Sequence, residues 1–350
     1  MTAGRWSGRG SVFGSGIVRG SAILTAGLLV SLGGAVPAAA QDGAAHLVII
    51  SGLSGEERFA RDYLSWGVQL LEAAESRLDV PAANIVWLAE DADAHAAIRA
   101  RSTKADIERE LRALAARAGA NDRVLILIFG HGSYQSGESR ISLPGPDITS
   151  RELDVLLDGL GSRRIAIVNT TSSSGGFITD LAAPNRIVIT ATKSPMEANE
   201  TIFGRHFIAA LTGDAADTDE SGRVSLMEAF EYARIEVERE YQRERKLQSE
   251  HALIDALGDG RGITELSDST PHARIARTFY LASAIPTAAN ESPELRALYE
   301  EKARIEAALE ALRARRESMP QAEYDAELER LLLELARNGQ AIRRLEGGGS

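Results

Sequence analysis

Short apolar runs alternate with longer amphipathic stretches through the middle of this chain. Residues 46–50 (His-Leu-Val-Ile-Ile) predict a first strand, closed by Ser51 and Gly52. Residues 56–78 then space Phe59, Tyr63, Val68 and Leu71 at helical intervals until Pro81 stops them. A second strand is predicted at 85–88. Ser102 and Thr103 can cap a helix that carries Ile107, Leu111 and Leu114 on one face. Residues 124–129 are apolar throughout and read as a buried strand. A loop rich in Gly and Ser follows, with a small hairpin at 140–144. Thr149 and Glu152 have capping-box spacing, with Leu153, Leu156, Leu157 and Leu160 behind them. Further strands are predicted at 165–168, 186–191 and 277–281. Helices are predicted at 203–211 and 225–248. This alternation predicts an α/β domain over 45–284: a mostly parallel sheet of about six strands, helices on both faces.

The pattern changes at both ends. Residues 285–293 have linker composition. Beyond them, Leu298, Ile305, Leu309 and Leu312 form one stripe, and Tyr324, Leu328, Leu331, Leu335, Ile342 and Leu345 form another. Met319-Pro320 separates the two, so 294–346 reads as a helical hairpin of coiled-coil type. It packs on itself, on the α/β domain, or on a second copy or partner. The first is the plainest reading. The terminal Gly347–Ser350 stretch reads as a tail. At the other end, Arg5, Arg9 and Arg19 precede the apolar run 22–36, and Ala38-Ala39-Ala40 precedes Gln41. That is the layout of a secretory signal peptide over 1–40, cleaved after Ala40. The run is short for a membrane span and contains Gly27, Gly33 and Gly34. The expected address is periplasmic or secreted, with no membrane insertion after cleavage.

Composition narrows the chemistry. The 350-residue chain has no cysteine, which excludes disulfides, thiolate metal sites and cysteine nucleophiles. Its formal charge is −11, and loss of the leader makes it more acidic still. That argues against nucleic acid and anionic membrane surfaces as partners.

Two strands end in candidate chemistry. The strand at 124–129 runs into Gly130-His131-Gly132. The strand at 165–168 runs into Asn169-Thr170-Thr171-Ser172-Ser173-Ser174-Gly175-Gly176. As neighbours in a parallel sheet they would place His131 opposite the serines, where open α/β sheets carry their sites. The alternatives are a structural histidine and a hydroxyl-rich turn capping the next helix. Strand–Gly-His-Gly followed by strand–x-Cys-x-Ser-Gly is the pattern of the caspase and legumain group of cysteine peptidases. This chain resembles that group over roughly 47–281, and exported bacterial relatives of legumain more than caspases. Aligned on Ser174-Gly175, the cysteine position holds Ser172. A register one residue later puts Ser173 there.

The resemblance implies a histidine, His131, managing the nucleophile's proton. It also implies an oxyanion hole using the N–H of Gly132 and of the nucleophile's own residue. The sulfur is absent. A serine hydroxyl must lose its proton as it attacks, so it needs an oriented base, and no third residue is identifiable. Peptidase activity is therefore expected to be absent or very low. Lys193, after the 186–191 strand, stands where relatives line a substrate pocket and would favour an acidic group. Glu250-His251 has two readings, a pocket lining and, more plainly, a solvated helix end.

Residues 217–228 match a twelve-residue EF-hand loop position by position. Asp217, Asp219 and Ser221 supply side-chain oxygens, Gly222 the sharp turn, and Arg223 a carbonyl. Ser225 holds a water and Glu228 closes the set in a bidentate way. Ser225 and Glu228 also have capping-box spacing, so both have a use without metal. The expected cofactor is Ca2+, in a structural role. Three functions follow: a pseudo-peptidase that binds peptides or proteins, a hydrolase using Ser172 and His131, and a scaffold acting through its hairpin.

Overall fold

The apolar runs build one sheet whose two faces divide by side-chain parity. The computed structural model describes residues 43–162, 164–267, 270–286, 289 and 292–347. The expected leader, part of the expected linker and the last three residues lie outside them. The central sheet has seven strands: β1 (Ala45–Ser51), β2 (Ile85–Ala89), β3 (Ala100–Arg101), β4 (Arg123–Phe129), β8 (Arg164–Asn169), β9 (Arg186–Thr190) and β10 (Leu253–Asp255). Their order is β10-β9-β8-β4-β1-β2-β3, parallel except for β10. In β1, Leu47 and Ile49 face one layer, with Trp87, Leu125, Leu127, Phe129 and Val168. Val48 and Ile50 face the other, with Val86, Ile126, Ile128 and Ile167. Both faces are buried, which is why these strands read as continuous apolar runs.

Helices cover each face. α1 (Glu57–Ser76), α5 (Phe203–Thr212) and α6 (Leu226–Glu244) pack on the first. α2 (Lys104–Arg117), α3 (Ser150–Asp158) and α4 (Phe177–Asp180) pack on the second. Local signals fix the starts. The Thr103 hydroxyl accepts from the Asp106 N–H, and Thr149–Glu152 and Ser225–Glu228 are complete capping boxes.

Several expectations are corrected. Residues 277–281 are not a strand. Thr270 caps α7 (Pro271–Arg277), which has Pro271 at its start, and only Tyr280 bridges, to Ser225. The edge place is taken by the three-residue β10. Residues expected as loop and hairpin form a small antiparallel sheet of β5 (Gly132–Gln135), β6 (Glu138–Ile141) and β7 (Ile148–Thr149). The long helix ends at Glu244, where Arg245 turns left-handed with φ 55°.

The C-terminal helices are α8 (Pro293–Ala314) and α9 (Gln321–Gly347). Ile305, Leu309, Leu312, Tyr324 and Leu331 are buried together between them. Asn338 Nδ2 donates to the Leu298 carbonyl at 3.0 Å, and the Tyr299 hydroxyl donates to Glu346 at 2.7 Å. The two helices therefore run antiparallel. The described residues form one compact unit. Among the described residues, no helix is long and apolar enough to cross a membrane.

Candidate active site

β4 and β8 are paired neighbours, and each delivers its motif at its carboxyl end. His131 and Ser172 line one cleft of about 130 Å³, with Phe59, Tyr63, Trp66, Glu200 and Ile202. The Ser172 hydroxyl is bonded on both sides by Gly132. It accepts from the Gly132 N–H at 3.1 Å and donates to the Gly132 carbonyl at 3.1 Å. Only glycine fits there: a Cβ on Gly132 would stand 2.3 Å from the Ser172 carbonyl oxygen. The imidazole is held elsewhere. His131 Nε2 donates to the Ser54 carbonyl at 2.9 Å, and Phe59 meets the ring edge-on at 5.2 Å. That bond places the proton of the neutral ring on Nε2 and leaves Nδ1 as its basic nitrogen.

The three serines have separate surroundings. Ser173 adopts φ 56°, donates its N–H to the Glu197 carbonyl at 2.8 Å, and buries a hydroxyl with no partner among the described residues. Ser174 Oγ accepts from the N–H groups of Ala191 and Thr192 at 3.1 and 3.2 Å. Ser172 is the one that shares the cleft with His131. None of the three side chains caps the helix that follows.

Lys193 is not among the residues lining the cleft. Its side chain is half exposed and stands 3.8 Å from Glu197. Glu197 also receives His251 Nδ1 at 2.6 Å. Glu250 is not a solvated helix end: it is 1% exposed. Its carboxylate accepts the first N–H groups of α5, from Ile202 and Phe203, and the Tyr241 hydroxyl. Burial pushes this carboxyl up to about 7, against the pull of those N–H groups. Reasoning from sequence also missed Ser54 and Glu90. Glu90 accepts both the Ser54 N–H, at 2.9 Å, and the Ser54 hydroxyl, at 2.6 Å. It thereby fixes the carbonyl that fixes His131. No local motif marks these residues. They meet because β1 and β2 are adjacent.

The 217–228 loop gathers oxygen donors. One carboxylate oxygen each from Asp217, Asp219 and Glu228 falls within 4.8 Å of the others. Gly222 takes φ 76°, and Asp217 accepts the N–H groups of Ser221 and Gly222 at 2.9 and 2.7 Å. An all-oxygen set around three carboxylates suits a hard cation. Other bonds occupy part of the set. The Ser221 hydroxyl donates to the Arg223 carbonyl at 2.9 Å, and Glu228 Oε2 accepts from Ser225 N–H at 2.9 Å. α8 reaches over the loop: Lys302 Nζ donates to the Ser221 carbonyl, and Arg223 pairs with Glu306. Burial depresses the Lys302 ammonium, whereas Asp217 is raised by burial first and then by Asp219 and Glu228.

No protein-family model and no curated protein matches this sequence. Among solved structures, the chain is similar to the Drosophila initiator caspase Dronc. Identity is 11% and the TM-score 0.39, over 62% of this chain and 81% of that one. It is also similar to a Geobacter sulfurreducens protein solved as a structural-genomics target. There identity is 12% and the TM-score 0.40, over 60% and 92% of the two chains.

Proposed function

We propose that this protein is an exported homologue of caspase- and legumain-like peptidases that binds peptides without cleaving them and is stabilised by calcium. One observation carries the reading. The Ser172 hydroxyl gives its proton to the Gly132 carbonyl rather than to His131, while His131 is anchored on Ser54. Among the described residues, no hydrogen bond joins Ser172 to His131. A serine nucleophile needs that contact for a base to take its proton. A thiolate does not, because sulfur ionises before it attacks. The arrangement therefore suits the cysteine that is missing and leaves serine inert. The Gly132 N–H, a natural oxyanion donor, is occupied by the same hydroxyl.

Calcium would be held by the side chains of Asp217, Asp219, Ser221 and Glu228 and the carbonyl of Arg223, with Ser225 contributing through water. The ion would supply charge neutralisation to three crowded carboxylates. Export rests on the leader-like pattern of residues 1–40.

One observation favours hydrolysis instead: His131 and Ser172 do line the same cleft. Mass-spectrometric analysis of a diverse peptide mixture separates the readings. The expected result is no cleavage by the native protein, with peptides retained on it. Cleavage that disappears in Ser172→Ala would establish the hydrolase and defeat the binding reading.

A further inference from the structure

A second cavity opens beside the cleft, at the carboxyl ends of β1 and β2. Its volume is about 400 Å³. Its floor is apolar and aromatic: Tyr63, Trp87, Ala89 and Ile98 are all buried. Its rim is acidic. Glu57, Glu90 and Asp91 line it, and its one lining cation, Arg61, is paired with Glu57 at 2.7 Å. Glu90, and Asp62 and Glu200 from the neighbouring cleft, all oppose ionisation of the Tyr63 phenol, after burial itself; Arg58 pairs with Glu200 at 3.2 Å.

The cavity joins the cleft at two residues. Tyr63 lines both. It is 7% exposed. Ser54 is the second link. It lines the cavity, Glu90 holds its N–H and hydroxyl, and its carbonyl holds His131. The cavity's carboxylate is thus one residue away from the imidazole.

An apolar floor beneath a carboxylate rim matches a flexible alkyl stem ending in a cation. Lysine and arginine side chains bury such stems while keeping their heads among polar groups. Aromatic rings next to the head add cation–π attraction. A neutral apolar side chain would fill the floor but leave the rim uncompensated. An acidic one would be repelled by it.

We propose that this cavity is a subsite for the arginine or lysine side chain of a peptide whose backbone lies across His131 and Ser172. Glu90 and Asp91 recognise the cation, and Trp87 and Tyr63 hold its stem. The peptide part rests on the binding function proposed above. The basic-side-chain part stands on the cavity alone.

The test separates the two. Nα-acetyl-arginine amide and its uncharged isostere, Nα-acetyl-citrulline amide, would be titrated into the full chain carrying 15N-tryptophan. The Trp87 indole signal is the readout, since its N–H sits in the floor and donates to Ser51 at 3.2 Å. The expected result is a shift of that signal by the arginine compound, with affinity about tenfold above the citrulline compound. Asp91→Asn, a change at an exposed rim position, should lower that preference about fivefold. Equal effects of the two compounds, or no Trp87 shift from either, would overturn the subsite. If the subsite binds arginine but an arginine-containing hexapeptide binds no tighter than the capped residue, the subsite stands and the peptide cleft falls.

Discussion

At the scale of single residues, the site combines one relaxed position with two costly ones. Ser172 is satisfied on both sides by Gly132. Ser173 is not: it sits at φ 56° and buries an unpartnered hydroxyl. A left-handed residue with a Cβ costs about 1–2 kcal/mol relative to glycine, so Ser173→Gly should raise stability by about 1 kcal/mol in urea unfolding. A loss of stability would show that this hydroxyl has a partner in solution. Glu250 is the second costly residue. Its carboxyl, pushed up to about 7 from 4.5, binds a proton more tightly in the fold than in the unfolded chain. Stability from this group is therefore full below pH 4.5 and is lost as pH rises through about 7. The loss should approach about 3 kcal/mol. Comparing native protein with Glu250→Gln from pH 4 to 8 isolates it, and a pH-independent difference would contradict the assignment.

At the scale of elements, Gly67 in α1 sets two rules against each other. Alanine in a helix interior gains about 1 kcal/mol over glycine. A Cβ on Gly67, however, would stand 2.1 Å from the ring of Trp87, itself 1% exposed. Overpacking of about 1–3 kcal/mol wins, so Gly67→Ala should destabilise, read as a lower melting temperature. Strands buried on both faces announce themselves as apolar runs, and β1, β2, β4, β8 and β9 were readable for that reason. β10 and the β5–β7 sheet were not, because strands of two to four residues carry too little pattern. Arg277–Leu281 has the composition of a strand, but the Thr270–Pro271 start claims its first residue for α7. His131 and Ser172 were legible because each follows a long run. Ser54, Glu90 and Tyr63 were not, because their roles depend on strand order. The loop at 217–228 belongs here too. Lys302 on α8 places a part-buried ammonium against it. On the calcium reading the two cations compete, so Lys302→Met should tighten calcium binding at least about fivefold by calorimetry. Unchanged affinity would show that Lys302 does not oppose the ion.

At the scale of the whole molecule, the cleft and the hairpin lie at opposite ends of the sheet. His131 and Ser172 follow the carboxyl ends of β4 and β8. Arg123 and Arg164, which begin those strands, line a cavity of about 270 Å³ with Glu306, Leu309 and Arg313 of α8. The hairpin thus covers the amino ends and leaves the cleft clear. Leu309 is 4% exposed in the core between α8 and α9, and Leu309→Asp should unfold the hairpin at a cost of several kcal/mol. Hydrogen exchange should then rise over 293–347, with peptide affinity unchanged; a fall in affinity would contradict the separation of the two ends. The central claim is that the cleft lacks only its sulfur. It is tested most directly by cleavage of the peptide mixture with Ser172→Cys, read by mass spectrometry against the native protein. The account predicts cleavage by the cysteine variant that is abolished by adding His131→Ala, and none by the native chain. A folded Ser172→Cys protein that cleaves nothing would contradict it.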